Sequence, residues 1–237
     1  MARKRLKVEL HAHTSDDPHD HIPYSTRDLI DHASTLGFDA LAITLHDFQL
    51  DPSPWQSYAR DRGLVLIPGV ERTIEGRHVL LLNYPAAASD VRTFAALRTL
   101  RQQHRGLVVA PHPFFPSTAC LWGALDRHAD LFDAVEMNAM FTRRIDFNAR
   151  AERWAARRGK PIVGNGDVHR LMQMGTTFSL VDAEPDAASI CEAILAGRVG
   201  VERRPLSLAR AASIVASMFC PACPRARVEL HSEVPGA

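Results

Sequence analysis

The sequence predicts an α/β fold in which a mainly parallel sheet closes into a barrel, with functional groups just beyond the carboxyl ends of the strands. Three observations carry this. Eight short aliphatic runs recur along the 237 residues, and most are apolar throughout, as in strands covered on both faces. Amphipathic stretches with cap residues and glycine stops alternate with them. Seven or eight such units in a chain of this length close into a barrel more readily than they spread as an open sheet.

The predicted strands are Val8–Leu10, Ala40–Thr44, Leu64–Pro68, Val79–Asn83, Leu107–Ala110, Ala134–Met137, Pro161–Gly164 and Thr177–Val181. The first helix spans Thr26–Leu36, with a Ser25 or Thr26 cap and a stop at Gly37. Asp90–His104 stops at Gly106, Ile145–Arg158 at Gly159 and Pro185–Leu195 at Gly197. Leu206–Phe219 reads as one more helix and residues 221–237 as a loose tail. The expected organisation is a barrel domain over 1–205, then a C-terminal helix and flexible tail over 206–237.

Composition excludes more than it selects. Hydrophobic residues make up 46% and charged residues 23%, ordinary for a chain that buries a sizeable core. A net charge of +1 gives no electrostatic case for nucleic acid or a membrane surface. No apolar run approaches the length of a membrane-spanning helix. The run after Ala2-Arg3-Lys4-Arg5 is too short for a signal peptide. Cys120, Cys191, Cys220 and Cys223 are not spaced as a disulfide framework, so a cytoplasmic setting is expected. Cys220 and Cys223 form a single CxxC, half of a zinc site, with only His231 nearby.

Histidine stands out. There are 12, four of them between Leu10 and His21. Five of the eight predicted strands end in metal-type ligands: His11-Ala12-His13, Leu45-His46-Asp47, Gly69-Val70-Glu71, Pro111-His112-Pro113 and Asn165-Gly166-Asp167-Val168-His169. A lone His-x-His or a lone exposed Glu is weak evidence, but the joint pattern is hard to obtain by scatter. Nitrogen and oxygen donors without thiolate suit Zn, Mn or Fe ions, and a carboxylate such as Glu71 or Asp167 can bridge two of them.

In this order, His11-Ala12-His13-Thr14, Ala42-Ile43-Thr44-Leu45-His46-Asp47, Gly69-Val70-Glu71, Pro111-His112-Pro113 and Gly166-Asp167-Val168-His169 closely resemble the PHP (polymerase and histidinol phosphatase) family, over roughly residues 7–200. The resemblance implies a distorted (β/α)7 barrel with two or three divalent metal ions at the carboxyl ends of its strands. It implies as ligands His11, His13, an acid or His shortly after Thr14, His46, Glu71, His78, His112, Asp167 and His169. Asp16, Asp17, His19, Asp20 and His21 all lie in the loop that supplies the third. Asp20, just before Ile22-Pro23-Tyr24-Ser25, is preferred and His19 is next. His78 begins its strand instead of following one. Leu45 stands where the family usually has the Asp of Thr-Asp-His, which leaves Asp47 as the neighbouring carboxylate to support His46.

The implied activity is a phosphoesterase acting on a small phosphorylated metabolite or nucleotide through a metal-activated water. His46 or His169 would protonate the leaving oxygen, and Arg143, Arg144 and Arg170 would clamp phosphate. Glu136 and Asn138, at a strand end nearby, read equally as structural or as substrate contacts. Nucleic acid is not expected beyond a nucleotide or short oligonucleotide substrate, no membrane partner is expected, and the oligomeric state is left open. Two alternatives compete: an amidohydrolase-like enzyme cutting a C–N or C–O bond, and a non-catalytic metal-bound regulatory module.

Overall fold

The computed structural model describes residues 5–218. Its strands are β1 (Leu6–Glu9), β2 (Ala40–Ile43), β3 (Val65–Ile74), β4 (Arg77–Leu82), β5 (Leu107–Ala110), β6 (Ala134–Asn138), β7 (Ile162–Asn165), β8 (Thr177–Val181) and β9 (Val199–Arg203). Its helices are α1 (Thr26–Thr35), α2 (Gln56–Arg60), α3 (Phe94–Gln103), α4 (Gly123–Arg127), α5 (Asn148–Arg158), α6 (Ala187–Leu195) and α7 (Leu208–Met218). The strands form one nearly closed, barrel-shaped sheet in the order β7-β6-β5-β4-β3-β2-β1-β8-β9.

Strand residues alternate between buried clusters, which is why the sequence shows apolar runs and not a polar–apolar alternation. Leu80, Leu82, Val109 and Val163 pack with Ile190, Ala193 and Ile194 of α6. Their neighbours Val79, Leu81, Val108 and Val135 face Leu97 and Leu100 of α3 and Trp154 of α5. Leu41 and Ile43 pack under Leu29, Ile30 and Ala33 of α1.

The parallel expectation holds for β1-β2-β3 and for β5-β6-β7. It fails at β4, which is antiparallel to both its neighbours, and at β8 and β9. The cause is a tight hairpin: β3 runs on to Ile74 and turns through Glu75 (φ 49) and Gly76 (φ 74) straight into Arg77. Two left-handed residues make the turn that matches strand twist. The predicted strand stops at Pro68, whereas β3 continues through Glu71 and Arg72, each 1% exposed. Strand β9 was not predicted at all.

Closure comes from two devices. Beyond the ends of β1 and β7, Ala12 bridges Val168 in parallel: His13 N donates to Val168 O (3.1 Å) and Val168 N to His11 O (3.1 Å). Lower down, the Ser179 hydroxyl of β8 accepts from Gly164 N (3.0 Å) and donates to Gly164 O (3.1 Å). A Cβ on Gly164 would lie 2.6 Å from Val201 and 2.9 Å from Phe178 O, so only glycine permits this approach.

Helix ends follow their caps. Ser25 and Asp28 form a capping box at α1. Thr93 starts α3 later than predicted, because residues 86–90 form a separate 3₁₀ turn. Helix α5 starts at Asn148, not Ile145, since the residues before it belong to the loop over the barrel mouth. Asp186 caps α6, and α7 falls within the predicted Leu206–Phe219. Leu206 N donates to Phe141 O (2.9 Å) and Ile214 is fully buried, so this segment is attached to the barrel. Cys220 and Cys223 lie outside the described residues.

Trp154 is 1% exposed and donates from Nε1 to Asp126 Oδ1 (2.8 Å). Trp154→Ala is expected to lower unfolding free energy by about 3–5 kcal/mol, read as the shift of the denaturant midpoint. A loss under about 1 kcal/mol would contradict this packing.

Candidate metal centre

Extensions of the parallel strands carry most of the expected ligands. His11 and His13 follow β1, His46 follows β2, His112 follows β5, and Asp167 and His169 follow β7. The extensions remain paired: Thr44 N donates to Ala12 O (2.8 Å), Glu71 N to Leu45 O (3.1 Å) and Asp47 N to Glu71 O (2.9 Å). Glu71 therefore sits within β3. His78 enters from β4, whose reversed direction puts its amino end, not its carboxyl end, at the site. Three non-glycine residues here adopt left-handed backbone: Asp47 (φ 57), His112 (φ 28) and Asp167 (φ 49). Such conformations cost on the order of 1–3 kcal/mol each and persist where surrounding structure enforces them.

Glu71 is the hub. Its Oε2 lies 3.2 Å from His11 Nε2, 3.5 Å from His13 Nε2 and 3.1 Å from His46 Nε2. Its Oε1 lies 2.8 Å from His78 Nδ1 and 3.1 Å from His112 Nε2. Asp167 Oδ1 is 3.4 Å from His11, 3.7 Å from His13 and 3.3 Å from His169 Nδ1. Four overlapping groups of donors result: His13–His46–His169, His11–His112–Asp167, His11–His13–Glu71 and His46–Glu71–His78.

The donor set fits divalent cations. His11 Nε2, His13 Nε2, His78 Nδ1 and Asp167 Oδ1 are buried and have no hydrogen-bond partner, an arrangement that a metal ligand tolerates and an ordinary buried polar group does not. The far side of four of the rings is also arranged. His11 Nδ1 lies 2.7 Å from Glu136 Oε2, while His13 Nδ1 and His46 Nδ1 lie 2.9 and 3.0 Å from the same Asp17 Oδ2. A carboxylate on Nδ1 fixes the proton there and frees Nε2 to face inward. His112 Nδ1 has Cys120 Sγ at 3.3 Å in that role.

Several supporting residues were missed by sequence reasoning. Asp17 orients two imidazoles from the loop in which Asp20 was preferred, and its Oδ1 accepts from His19 N and Asp20 N (2.9 Å each). Glu9 accepts from Gly166 N (2.9 Å) and His11 N (3.1 Å), and burial pushes its carboxyl up to about 8. A charged residue inside an apolar strand was the available signal. Glu136 accepts from His112 N (3.2 Å) and from Asn138 and Asn165 side chains (3.0 Å each). Asn138 also donates to Asp167 Oδ2 (3.1 Å).

The remaining expectations divide. Asp20 Oδ2 lies 3.0 Å from His169 Nε2 and 3.8 Å from His46 Nδ1, at the solvent edge. His19 is 58% exposed, faces Asp47 (3.3 Å) and stands edge-on to His46 with ring centroids 6.3 Å apart. Asp47 does not support His46; it pairs with the buried Arg72 and accepts from Thr73 N (2.6 Å). Leu45 is buried in the apolar cluster under α1, and Asp17 supplies the carboxylate from another loop. Arg143 and Arg144 are exposed, without an ion-pair partner among the described residues. Arg170 is not a free clamp, because its guanidinium donates to the carbonyls of His169 (2.7 Å), Ser217 (2.7 Å) and His21 (3.4 Å).

Burial disfavours a charged imidazole, yet Asp17 and Glu71 outweigh it and push His46 up to about 11. In the same way Asp167 and Asp20 raise His169 to about 9. The carboxylates thus create a strongly negative site, which favours cations of either kind, protons or metals.

These features define a metal-binding α/β barrel. A family model described as PHP-associated matches residues 146–199. Among solved structures the chain resembles PsfC from Pseudomonas syringae (18% identity, TM-score 0.60, covering 91% of this chain and 97% of that one). It also resembles a candidate metal-dependent phosphoesterase from Bifidobacterium adolescentis (16%, 0.52, 86% and 98%). A third is the lesion-specific endonuclease Q of Pyrococcus furiosus (15%, 0.55, 92% and 67%). No curated protein matches at a significant level. The family match covers residues 146–199, and the solved structures share the fold.

One expectation is overturned. Nucleic acid was set aside on net charge, but an endonuclease Q structure with this fold holds a 27-mer duplex with an abasic lesion at its active site. Net charge averages over the whole surface and does not report on a substrate groove.

Asp17→Ala should lower metal affinity about 10–100-fold, read by elemental analysis after dialysis, and unchanged metal content would remove Asp17 from its orienting role. Because imidazoles raised above neutrality must release protons to bind a metal, loading should strengthen as pH rises towards about 9, where His169 gives up its proton. Titration calorimetry in buffers of different ionisation enthalpy would show proton release, and its absence would contradict the charged state of His46.

Proposed function

We propose that the chain is a metal-dependent phosphoesterase holding two or three divalent ions (Zn, Mn or Fe) with His11, His13, Asp20, His46, Glu71, His78, His112, Asp167 and His169. The observation that carries this reading is the cluster of metal-type donors that six strands bring together around Glu71 and Asp167, four of whose buried atoms have no hydrogen-bond partner. Bound ions supply Lewis acidity and lower the pKa of water from about 15.7 to near 7.

The chain's own groups supply the rest. Glu71 and Asp167 hold five and three imidazoles in place respectively by the contacts given above. Both nitrogens of His46 face buried carboxylates, Asp17 and Glu71, so we assign protonation of the leaving oxygen to His169, whose Nε2 sits beside the exposed Asp20 at the solvent edge. Arg143 and Arg144, on the 139–147 loop at the mouth, orient the ester's phosphoryl oxygens. The substrate is a phosphate ester, with nucleic-acid phosphodiesters included.

The test is a screen of 4-nitrophenyl phosphate, bis-(4-nitrophenyl) phosphate, alkyl phosphates and short oligonucleotides with Mn or Zn. Phosphate-ester turnover that Glu71→Gln abolishes is expected. His169→Gln should slow alkyl esters by about 10²–10⁴-fold beyond any loss on 4-nitrophenyl esters, because nitrophenolate leaves without a proton. Turnover of amides or carboxylic esters alone would sink the reading in favour of an amidohydrolase-like enzyme.

A further inference from the structure

Single exposed apolar side chains are ordinary on a protein surface, but here they gather at one place. Among the described residues, four of the seven exposed large apolar side chains, Phe48, Ile145, Phe147 and Met172, lie in the segments that follow β2, β6 or β7, three of the strands whose ends lead to the centre. Two aromatic rings lead outward from the ligands. Phe115 stands edge-on to His112 with centroids 6.4 Å apart, and Phe147 meets Phe115 at 5.3 Å with the rings tilted by 55°. Phe147 keeps 39% of its surface exposed. The loop that carries it also carries Arg143 and Arg144, whose guanidinium groups pair with no acid among the described residues.

An aromatic face beside unpaired arginines, one ring away from the ligand cluster, matches a ligand that combines a planar ring with phosphate. We propose that Phe115 and Phe147 form a base-stacking subsite, and that the ester cleaved here is a nucleotide-type phosphoester whose base lies on Phe147 while its phosphate reaches the ligands of Glu71. This rests on the phosphoesterase reading for the chemistry, but its geometry stands on the loops alone. A free nucleotide and the terminal nucleotide of a strand share this chemistry.

Adenosine 5′-monophosphate and ribose 5-phosphate differ only in the base, so their affinities for the metal-loaded protein, measured by titration calorimetry, isolate the subsite. The nucleotide should bind roughly tenfold more tightly. Phe147→Ala and Phe147→Leu should both bring that ratio to about one, since leucine keeps apolar area but cannot stack. Leu195→Ala, on an exposed residue of α6 away from the mouth, should leave the ratio as it is. Tighter binding of a short deoxyadenosine oligonucleotide than of the mononucleotide would assign the subsite to a strand end, and equal binding to the free nucleotide. A ratio near one in the unaltered protein overturns the subsite, as does a ratio that survives Phe147→Leu. A preserved ratio without phosphate release from any substrate would instead leave the subsite standing and fail the phosphoesterase reading.

Discussion

The carboxylate of Glu71 touches five imidazoles while being 1% exposed, and the site is organised around that contact. A buried carboxylate costs several kcal/mol unless positive partners surround it. The imidazoles supply those partners only if they are held in place, which explains the layer of Glu136, Asp17 and Cys120 behind them. Divalent ions bound to the inward nitrogens act in the same direction, so metal affinity and folding stability are coupled in such a site.

The reversal of β4 is what allows five rings to reach one carboxylate. In an all-parallel barrel every loop arrives from the carboxyl end of its strand. Here the two-residue turn at Glu75-Gly76 brings the chain back at once, and His78 comes in from the amino end of β4, opposite Thr73 in the ladder. Register is therefore a functional property of this hairpin. A slip of one residue would turn His78 to the other face of the sheet.

Much of this was legible in the sequence because it depends on local order. His11-Ala12-His13, Pro111-His112-Pro113 and Asp167-Val168-His169 each follow an apolar run, and strand ends in α/β barrels converge. What was not legible depends on contacts between distant residues. Asp17 and Asp20 lie in one loop and look alike, and only the fold shows that the first faces His13 and His46 from within while the second meets His169 at the edge. Arg170 looked like a phosphate clamp by its position after His169, but its partners are main-chain carbonyls of Ser217 and His21, which no spacing reveals. Strand β3 was cut short for a related reason: its polar residues Glu71 and Arg72 are buried by partners from other loops.

The bridge between Ala12 and Val168 also bears on how the molecule comes into being. It joins segments as far apart in the chain as Glu9 and Gly166, which are 157 residues apart and hydrogen-bonded. During synthesis, His11 and His13 emerge from the ribosome early and then wait for almost the whole barrel to follow. At about 5–20 residues per second that interval is on the order of ten seconds. Through it, the growing chain carries histidines and carboxylates that are able to capture a metal ion one or two ligands at a time, without the geometry that makes capture selective. A metal site that uses Asp167 and His169 is therefore complete only after β7 has been made.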